Sequence, residues 1–449
     1  MTRIVFIGAG SVVFTRQLVA DLLLFPDLPP LDLVLHDIDP ARLEVARGTA
    51  EQLAARFGRP LRVTATVDRR AALDAADVVV DMIQVGGIET TSVDIELPAT
   101  FGLRQPISDT TGIGGVFRAL RTFPVLSAIA RDMRELCPDA LFLNYTNPMA
   151  MNIWWLSVVS PGLRAAGLCH SVYWTVHDLC ELIDVPVEGT HFRAAGVNHQ
   201  AWLYEWSRGG EDLYPRLRDT IAADPELERR VRVEIFRRIG YYPTETSEHS
   251  AEYLSWFLRS DEQIERFRLV PGQHLATAEQ NLAEFHAAQR ALAEGRELEL
   301  DDDGAAAEYA PQIIHSLLTG TEREIHTNVP NRGYITNLPP GAVVEVPTTV
   351  DGSGLTPITV GAIPTQGAAH NRTYLSVAEL AVEAALTGSR DAVLQAMLVD
   401  PNASSTLTPD RLADLVDRMF TAHHALLPST LGGGAELDLS DVPAPRSPR

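Results

Sequence analysis

The sequence predicts an α/β protein with a doubly wound sheet at its N-terminus and an α+β domain, for substrate binding and oligomerisation, at its C-terminus. Short apolar runs alternate with helical patterns through residues 1–195, and this alternation predicts parallel strands between layers of helices. After about residue 195 the alternation is lost. We therefore predict a first domain at 1–195, a second at 196–431 and a disordered tail at 432–449.

The composition is that of a soluble globular protein, with 45% apolar and 21% charged residues. A formal net charge of −22 argues against binding to nucleic acid or to an anionic membrane, because both need clustered Lys and Arg. No apolar run reaches the ~18 residues that span a membrane, and the chain opens on a strand instead of a signal peptide. Three cysteines do not make a disulfide framework. These features predict a cytoplasmic protein with no nucleic-acid or membrane partner.

The first apolar run ends in a Gly-Ala-Gly-Ser turn at residues 8–11, and a helical pattern follows. Gly8 and Gly10 permit a tight turn and a close approach of backbone to a pyrophosphate, and the helix that opens after Ser11 offers free N–H groups. Val13 stands where the full fingerprint has its third glycine. Strand, turn and helix in this order predict the first unit of a Rossmann-like, dinucleotide-binding domain.

The second strand, at 31–35, leads into two acidic residues. Asp37 stands at the strand tip, where an acid binds the ribose diol of an adenine dinucleotide; a plain turn carboxylate is the alternative. Asp39 precedes Pro40 and is placed to cap the next helix. An acid at the position of Asp37 favours NAD over NADP.

The alternation continues to residue 183, and a less regular order follows. Further strands are predicted at 61–67, 77–83, 140–143, 163–168 and 201–206, and a region of strands and turns at 328–361. One further helix is predicted to begin at residue 40, and others are predicted at 69–76, 116–136, 149–159, 173–183, 225–239, 274–295, 373–386 and 409–426. Gln84 opens a second loop where backbone can approach the cofactor, and the segment 84–115 is predicted to be irregular. Asn147 and Cys169 follow predicted strand ends, and ligands bind at the carboxyl edge of such a sheet.

Cys169 and His199 are candidate metal ligands. They lie in two short motifs, Gly-Leu-Cys-His-Ser at 167–171 and Gly-Val-Asn-His-Gln-Ala-Trp at 196–202. Two protein ligands are too few for a structural zinc site, which has four, but they leave positions open for a metal that chelates substrate. Taken alone, a cysteine that packs in the core and a hydrogen-bonded histidine also explain the pair.

Together these segments resemble glycoside hydrolase family four, the NAD- and divalent-metal-dependent glycosidases. The resemblance covers most of the chain. Besides the two motifs above, the segments that show the resemblance are 7–14, 109–122, 144–152, 245–253 and 343–347. Cys-His-Ser-Val at 169–172 resembles the bacterial melibiase-type α-galactosidase branch, whereas the phosphosugar branches have Asp or Asn after the cysteine.

The resemblance implies hydrolysis by a redox cycle. NAD⁺ takes a hydride from the 3-hydroxyl of the sugar, and a divalent metal such as Mn²⁺, held by Cys169 and His199, polarises the ketone. A base removes the proton on carbon 2, the aglycone leaves by elimination, water adds, and NADH returns the hydride. The paired carboxylates of most glycosidases are not needed.

The resemblance also implies roles for matching residues. The implied cofactor contacts are Gly8, Gly10, Ser11, Asp37 and Gln84, and the implied substrate contacts are Asn147, whose alternative is an Asn-Pro turn, and Asn198. His170 takes the place of the leaving-group acid, which is Asp in phosphosugar members; a neutral His that only contacts substrate is the alternative. Tyr241 is the first candidate for the base and Glu245 the second. Asp109, otherwise a helix cap, resembles the acid that makes the family's basic tyrosine more basic.

Other functions stay open at this point. Within the family, α-glucosidase or α-galacturonidase specificity is an alternative, and a uronic acid needs an added cation near carbon 6 of the sugar. An NAD-dependent hydroxy-acid dehydrogenase opens in the same way but has no use for Cys169 or a metal. A non-catalytic NAD-sensing regulator leaves the Cys169 and His199 pair unexplained. The family resemblance further implies a homodimer or homotetramer.

Overall fold

The structure, a computed structural model, describes residues 1–298, 307–439 and 442. Over these residues the chain forms thirteen strands that share one sheet, seventeen α-helices and three 3-10 helices. The strands are β1 (Thr2–Ile7), β2 (Leu31–His36), β3 (Leu61–Thr66), β4 (Val78–Asp81), β5 (Leu141–Asn144), β6 (Arg164–Gly167), β7 (Thr190–Val197), β8 (Gln200–Arg208), β9 (Glu211–Asp212), β10 (Tyr242–Pro243), β11 (Arg323–Pro330), β12 (Val343–Asp351) and β13 (Gly354–Pro357).

The helices fill the intervals between the strands and form the C-terminal part of the chain. The α-helices are α1 (Val12–Leu23), α2 (Pro40–Phe57), α3 (Arg69–Leu73), α4 (Gly87–Thr100), α5 (Gly112–Leu136), α6 (Met149–Val159), α7 (Ser171–Leu182), α8 (Tyr214–Ala223), α9 (Val231–Ile239), α10 (Ser247–Glu252), α11 (Asp261–Arg266), α12 (Gln273–Ala293), α13 (Tyr309–Thr319), α14 (Thr365–Thr387), α15 (Arg390–Val399), α16 (Pro401–Thr406) and α17 (Pro409–His423). The 3-10 helices are Pro225–Arg229, His424–Leu426 and Ser429–Leu431.

Six parallel strands form the N-terminal part of the sheet. Their spatial order, β3-β2-β1-β4-β5-β6, is that of a dinucleotide-binding sheet, in which the strand order reverses between β1 and β4. Apolar clusters lie on both faces, so a central strand such as β4 is a run of Val residues that is buried on both sides. The predicted Rossmann-like sheet is confirmed.

Antiparallel strands of the second half extend this sheet. β11 pairs with β6, where Asn328 lies opposite Gly167, and β12, β7, β8 and β10 follow outward. The core is shared as well, because Ile313 of α13 and Ile325 of β11 pack in the apolar cluster of β1 and β2. Pairing changes from parallel to antiparallel after β6, and the predicted domain boundary at residue 195 falls inside β7.

Several element predictions need correction. The segment 84–115, predicted to be irregular, contains α4 and the start of α5. α4 carries Pro98 and many β-branched residues, which have low helix propensity, so tertiary contacts decide its structure. The first turn of α5 is rich in glycine because it packs closely on the preceding loop: a Cβ on Gly114 would lie 2.2 Å from Oγ of Ser108. The sequence patterns give no prediction for α8, α13, α15 or α16.

Among the described residues, α5 is the helix long and apolar enough to cross a membrane, with a mean hydropathy of 1.3 over its most apolar window. Within the protein, 78% of that window is buried, as in a core helix. Phe123 of α5 stacks on Trp155 of α6 with ring centroids 4.6 Å apart. The apolar surface of α5 is therefore used for packing inside the fold.

The predicted disordered tail begins with a packed segment. Leu437 is 7% exposed, and its N–H donates to Oγ of Ser429 at 3.2 Å. The N–H of Gly434 donates to the carbonyl of His424 at 2.8 Å. Residues 432–439 thus pack on the preceding segment, and most of the remaining tail lies outside the described residues.

We expect the substitution Arg121→Met to lower the free energy of unfolding by about 3–5 kcal/mol. Arg121 of α5 and Asp94 of α4 form an ion pair at 2.6 Å, with side chains 0% and 2% exposed. The substitution leaves the Asp94 carboxylate buried without its ion-pair partner, with Nε2 of His423 3.0 Å away. Chemical denaturation followed by circular dichroism measures the change.

The matched control is Arg418→Met. Arg418 pairs with Asp414 at 3.1 Å on the outer face of α17, with side chains 58% and 52% exposed, and such a pair contributes about 0–1 kcal/mol. Equal losses from the two substitutions would contradict a special role for the buried pair.

Candidate active site

The turn between β1 and α1 has the geometry that its glycines predict. Gly8 has a φ of +80°, and a Cβ there would lie 2.8 Å from the carbonyl carbon of Met82. A Cβ on Gly10 would lie 2.6 Å from Oδ2 of Asp37. Ser11 is the N-cap of α1, and its side chain makes no capping hydrogen bond within the described chain. The first N–H groups of α1 are thus free to bind an anion.

Asp37 lies beside this turn at the end of β2. Its Oδ2 accepts the N–H of Gly10 at 2.8 Å, and its Oδ1 accepts the N–H of Asp39 at 2.9 Å. Asp39 caps α2, as predicted. Gln84 lies in the loop after β4, but its amide donates to Oγ1 of Thr91 at 2.8 Å and so holds the start of α4. The structure groups Asp37 with the glycine turn and ties the Gln84 side chain to a helix.

Cys169, His199 and Glu245 form a cluster of candidate metal ligands. Their ligand atoms all lie within 4.8 Å of one another. Sγ of Cys169 is 3.6 Å and Nε2 of His199 is 3.8 Å from Oε2 of Glu245. Cys169 follows β6, His199 lies in the turn between β7 and β8, and Glu245 follows β10. A thiolate, an imidazole and a carboxylate are a donor set that suits a divalent transition metal.

Two of these residues have unusual backbone conformations. His199 has a φ of +62° and Glu245 a φ of +71°, a region that non-glycine residues rarely adopt. Such strain, of order 1–3 kcal/mol, persists only where the surroundings fix it and is typical of functional sites. The N–H of Glu245 donates to Oγ1 of Thr175 on α7 at 3.1 Å, which helps to hold this conformation.

Thr110 fixes the ring of His199. Its hydroxyl donates to Oδ1 of Asp109 at 2.7 Å and lies 3.2 Å from Nδ1 of His199. Because the one hydroxyl proton goes to Asp109, the hydroxyl oxygen accepts from Nδ1–H, and the lone pair on Nε2 faces the cluster. Burial, followed by the nearby His249, lowers the pKa of His199 to about 4. The ring is therefore neutral, as a metal ligand must be.

The charges around Cys169 favour a bound cation. Burial and the neighbouring Glu245 raise the pKa of the Cys169 thiol well above its ordinary value. Burial and the charge of Glu245 likewise raise the pKa of Glu345, on β12, to about 8. A divalent cation at the cluster would offset both costs and stabilise the thiolate. The residues present therefore fit a metal.

Asp109 is a buried carboxylate with three partners. Its Oδ2 accepts from Nδ2 of Asn147 at 2.9 Å, and its Oδ1 accepts from Thr110 and lies 3.5 Å from Nε2 of His249. Burial raises its pKa, but His249 and the charges of His274 and Arg118 hold the pKa well below its usual value. Asp109 is therefore ionised and orients the groups around it.

His249 is a site residue that sequence reasoning missed. Its Nε2 faces Asp109, its Nδ1 lies 3.7 Å from Oε1 of Glu245, and its ring meets that of His199 edge-on at 4.3 Å. Burial lowers its pKa, but Asp109 and Glu245 outweigh burial and raise the pKa to about 9. The signal was present in the sequence, because Glu245 and His249 are four positions apart in one short segment, and α10 begins between them.

His170 lies at the start of α7, next to Cys169. Its Nδ1 is 2.7 Å from Oε1 of Glu308. Burial lowers its pKa, but the hydrogen bond to Glu308 outweighs burial and raises the pKa. Glu308 was also missed, and no motif near it or spacing to His170 marks it in the sequence.

The two predicted substrate contacts and the first base candidate differ in position. Asn147 is held by Asp109, and its Oδ1 has no hydrogen-bond partner among the described residues. The buried side chain of Asn198 has neither amide atom bonded within the described chain. Tyr241, by contrast, lines a groove at the outer edge of the sheet together with Tyr204 and Trp206. The structure thus brings Asn147 to Asp109 and keeps Asn198 buried next to His199 in the chain, whereas it places Tyr241 at the outer edge of the sheet.

Comparison with known proteins agrees with these features. Two family models match: Family 4 glycosyl hydrolase over residues 3–185, and Family 4 glycosyl hydrolase C-terminal domain over residues 194–403. The chain is 38% identical over 433 residues to an alpha-galactosidase of Bacillus subtilis (strain 168), a match that covers 95% of this chain and 99% of that protein. It is 31% identical over 437 residues to an alpha-galactosidase of Rhizobium meliloti (strain 1021), with coverages of 95% and 89%.

A solved structure shares the fold over nearly its whole length. The 6-phospho-alpha-glucosidase from gut microorganisms, in complex with NAD and Mn²⁺, superposes with a TM-score of 0.82 at 20% identity, over 95% of this chain and 99% of that chain. At this identity the likeness is one of fold. With the family models and the two sequence relatives, it leads to one assignment: the chain belongs to the family 4 glycosyl hydrolases.

Proposed function

We propose that this protein is an NAD- and divalent-metal-dependent glycosidase that hydrolyses α-galactosides. The observation that carries the proposal is the cluster of Cys169, His199 and Glu245. This cluster lies at the carboxyl end of β6, on the same edge of the sheet as the glycine turn that follows β1. Both sequence relatives named above are alpha-galactosidases, and the structural relative was solved with NAD and Mn²⁺. These findings support a reaction that uses both cofactors.

The chain has a set of residues suited to bind each cofactor. Asp37, Ser11 and the turn with Gly8 and Gly10 would hold NAD⁺, and Cys169, His199 and Glu245 would hold Mn²⁺ or another divalent metal. When bound, these groups supply a reversible hydride acceptor and a Lewis acid. The side chains of the protein then have to position the sugar and to move protons.

Asn147 and Asn198 are proposed to bind sugar hydroxyls. Asp109 fixes the amide of Asn147, so its Oδ1 is presented as an acceptor. Buried amide groups usually have partners, and the unpartnered side chain of Asn198 is therefore explained by a ligand hydroxyl. The backbone of Asn198 is held separately, because its carbonyl accepts from the hydroxyl of Tyr253 at 2.8 Å.

We assign the removal of the carbon-2 proton to His249 in place of Tyr241. The family resemblance implies a base beside the acid at Asp109, and the side chain in that position is His249. Glu245, the second candidate from the sequence, lies with the metal ligands instead. His170 is assigned the protonation of the leaving oxygen, because Glu308 holds its Nδ1 and leaves Nε2 to donate.

The charges near the cluster support a neutral sugar. Beyond the histidines of the site, Arg232 is the arginine whose charge acts on Glu245, but it donates to Oγ1 of Thr175 at 3.0 Å and lies 3.6 Å from Asp178. A uronic acid needs a cation that is free to pair with its carboxylate, so the galactoside is preferred over the galacturonide. Comparing p-nitrophenyl α-galactoside with the α-glucoside and the α-galacturonide measures this preference.

Alternatives outside the family explain less of the site. A hydroxy-acid dehydrogenase or an NAD-sensing regulator would use the glycine turn but has no role for the metal-ligand cluster. A cytoplasmic location is proposed from the net charge of −22 and from three cysteines that are all free and buried. A homodimer or homotetramer is proposed from the family resemblance, and light scattering during gel filtration measures it.

The function is tested first by its cofactor requirements. Hydrolysis of p-nitrophenyl α-galactoside under reducing conditions should need both NAD⁺ and Mn²⁺, with no net build-up of NADH. Cys169→Ser should lose the metal-dependent activity and still bind NAD⁺, because the thiolate ligand is gone. Cys180→Ser is the matched control, since Cys180 packs in a different apolar cluster and should tolerate the change. One NADH formed for each sugar consumed would refute the proposal in favour of a dehydrogenase.

Asp37→Ala should weaken NAD⁺ binding by ~1.5–3 kcal/mol, the value of a charge-assisted hydrogen bond. Isothermal titration with NAD⁺ measures the change in dissociation constant. Asp68→Ala is the control, because Asp68 caps α3 as a turn carboxylate outside the glycine turn. A dissociation constant that Asp37→Ala leaves unchanged would assign the ribose to another residue.

The base assignment predicts opposite outcomes for two variants in heavy water. His249→Gln should abolish deuterium incorporation at carbon 2 of released galactose and keep NAD⁺ binding, whereas Tyr241→Phe should retain incorporation. Because Asp109 raises the pKa of His249 and the base must be unprotonated, wild-type activity should rise with pH above neutrality. Loss of incorporation in Tyr241→Phe alone would return the role to Tyr241.

A further inference from the structure

A histidine that donates a proton needs its second ring nitrogen fixed. A carboxylic acid presents its proton from either oxygen, but an imidazole can flip, and then it points the wrong nitrogen at the substrate. His170 is assigned the protonation of the leaving oxygen, so this requirement applies to its ring.

Glu308 meets this requirement. Its Oε1 is 2.7 Å from Nδ1 of His170, the length of a charge-assisted hydrogen bond. The side chain of Glu308 is 6% exposed, whereas that of His170 is 37% exposed. Glu308 thus lies on the protein side of the ring, and the opposite side of the ring, with Nε2, is open.

Glu308 is itself held at two neighbouring backbone positions. Its N–H donates to Oδ2 of Asp21 on α1 at 2.8 Å, and the N–H of Ala310 donates to the hydroxyl of Tyr145 at 2.9 Å. Glu308 is the N-cap residue of α13, yet its side chain makes no capping hydrogen bond and reaches His170 instead.

We propose that Glu308 is a positioning residue that holds His170 as the proton donor to the leaving group, an inference that rests on the proposed function. As the bond between carbon 1 and the glycosidic oxygen breaks, its electron pair goes to that oxygen and the proton on Nε2 of His170 follows. Nδ1–H stays hydrogen-bonded to Glu308. When water adds to carbon 1, the proton that the water loses goes to Nε2. His170 and Glu308 therefore return to their initial protonation states at the end of each cycle.

The test compares leaving groups in the full-length enzyme with NAD⁺ and Mn²⁺. An alkoxide such as that of methyl α-galactoside must be protonated to leave, whereas 2,4-dinitrophenolate leaves without help. Glu308→Gln keeps the shape of the side chain and removes its charge. We expect kcat for methyl α-galactoside to fall about 10- to 100-fold, within the range of general acid catalysis, and kcat for the dinitrophenyl substrate to change by less than about threefold. KM should change little for either substrate.

A second histidine–glutamate pair provides the matched control. Nε2 of His191 is 2.8 Å from Oε2 of Glu205 on the outer strands, with side chains 55% and 44% exposed. Glu205→Gln removes the same kind of hydrogen bond and should leave both substrates unaffected. His170→Gln should show the leaving-group dependence more strongly, and adding Glu308→Gln to it should change nothing further, because both residues act through one proton.

The outcomes separate the two proposals. A wild-type enzyme with no NAD⁺- and Mn²⁺-dependent galactosidase activity would refute the proposed function. An active wild type in which Glu308→Gln slows both substrates equally, or neither, would overturn only the role of Glu308. If the melting temperature shows that Glu308→Gln does not fold, Glu308→Asp takes its place, because the shorter side chain keeps the charge but moves it away from Nδ1. The same comparison of leaving groups then tests the role of Glu308.

Discussion

The site depends on the carboxylate of Asp109. It accepts a hydrogen bond from Asn147, accepts another from Thr110 and faces His249, and through Thr110 it selects the tautomer of His199. The residues proposed for sugar positioning, metal ligation and proton removal therefore share one buried anion. A low dielectric strengthens each of these contacts, and it also makes an unpaired carboxylate costly, so the cluster is stable only as a whole.

The loop that carries Asp109 is fixed by distant parts of the chain. Glu252, at the end of α10, accepts the N–H groups of Ile107 and Ser108 at 2.6 and 3.0 Å. Asp400 accepts from Oγ1 of Thr111 at 3.3 Å. α10 also begins close to Glu245, so a short helix links the position of the Asp109 loop to that of the candidate metal ligands. Ordering of this helix and ordering of the site are thereby coupled.

The sequence predicted the features that depend on interactions between residues close together in the chain. The strand–turn–helix units, the glycine turn, the cap at Asp39 and the pair of Cys169 and His199 all follow from short segments, and the structure contains each of them. The groups that were missed or misplaced depend on contacts between remote segments. Glu308 is 138 positions from His170, and Glu245 meets Cys169 and His199 through a turn that no periodicity describes.

The position of the Tyr241 side chain depends on the short strand that follows it. It precedes β10, a strand of two residues in which side chains point to alternate faces of the sheet. A shift of one residue in such a strand moves a side chain from the site to the outer edge. The fold places Tyr242 in the core and Tyr241 toward the outer groove, whereas Asp109 meets a residue on the helix that follows.

The shared sheet determines how far this chain can be divided. Its first six strands have the topology of a self-contained nucleotide-binding module, but β6 is paired on its outer side by β11, and α13 completes the core over β1 and β2. A fragment that ended after β6 would expose unpaired backbone groups along a strand edge and lose part of its apolar cover. The nucleotide-binding half is therefore not a portable unit: in gene fusion or domain exchange, it has to travel with the strands that catalysis uses.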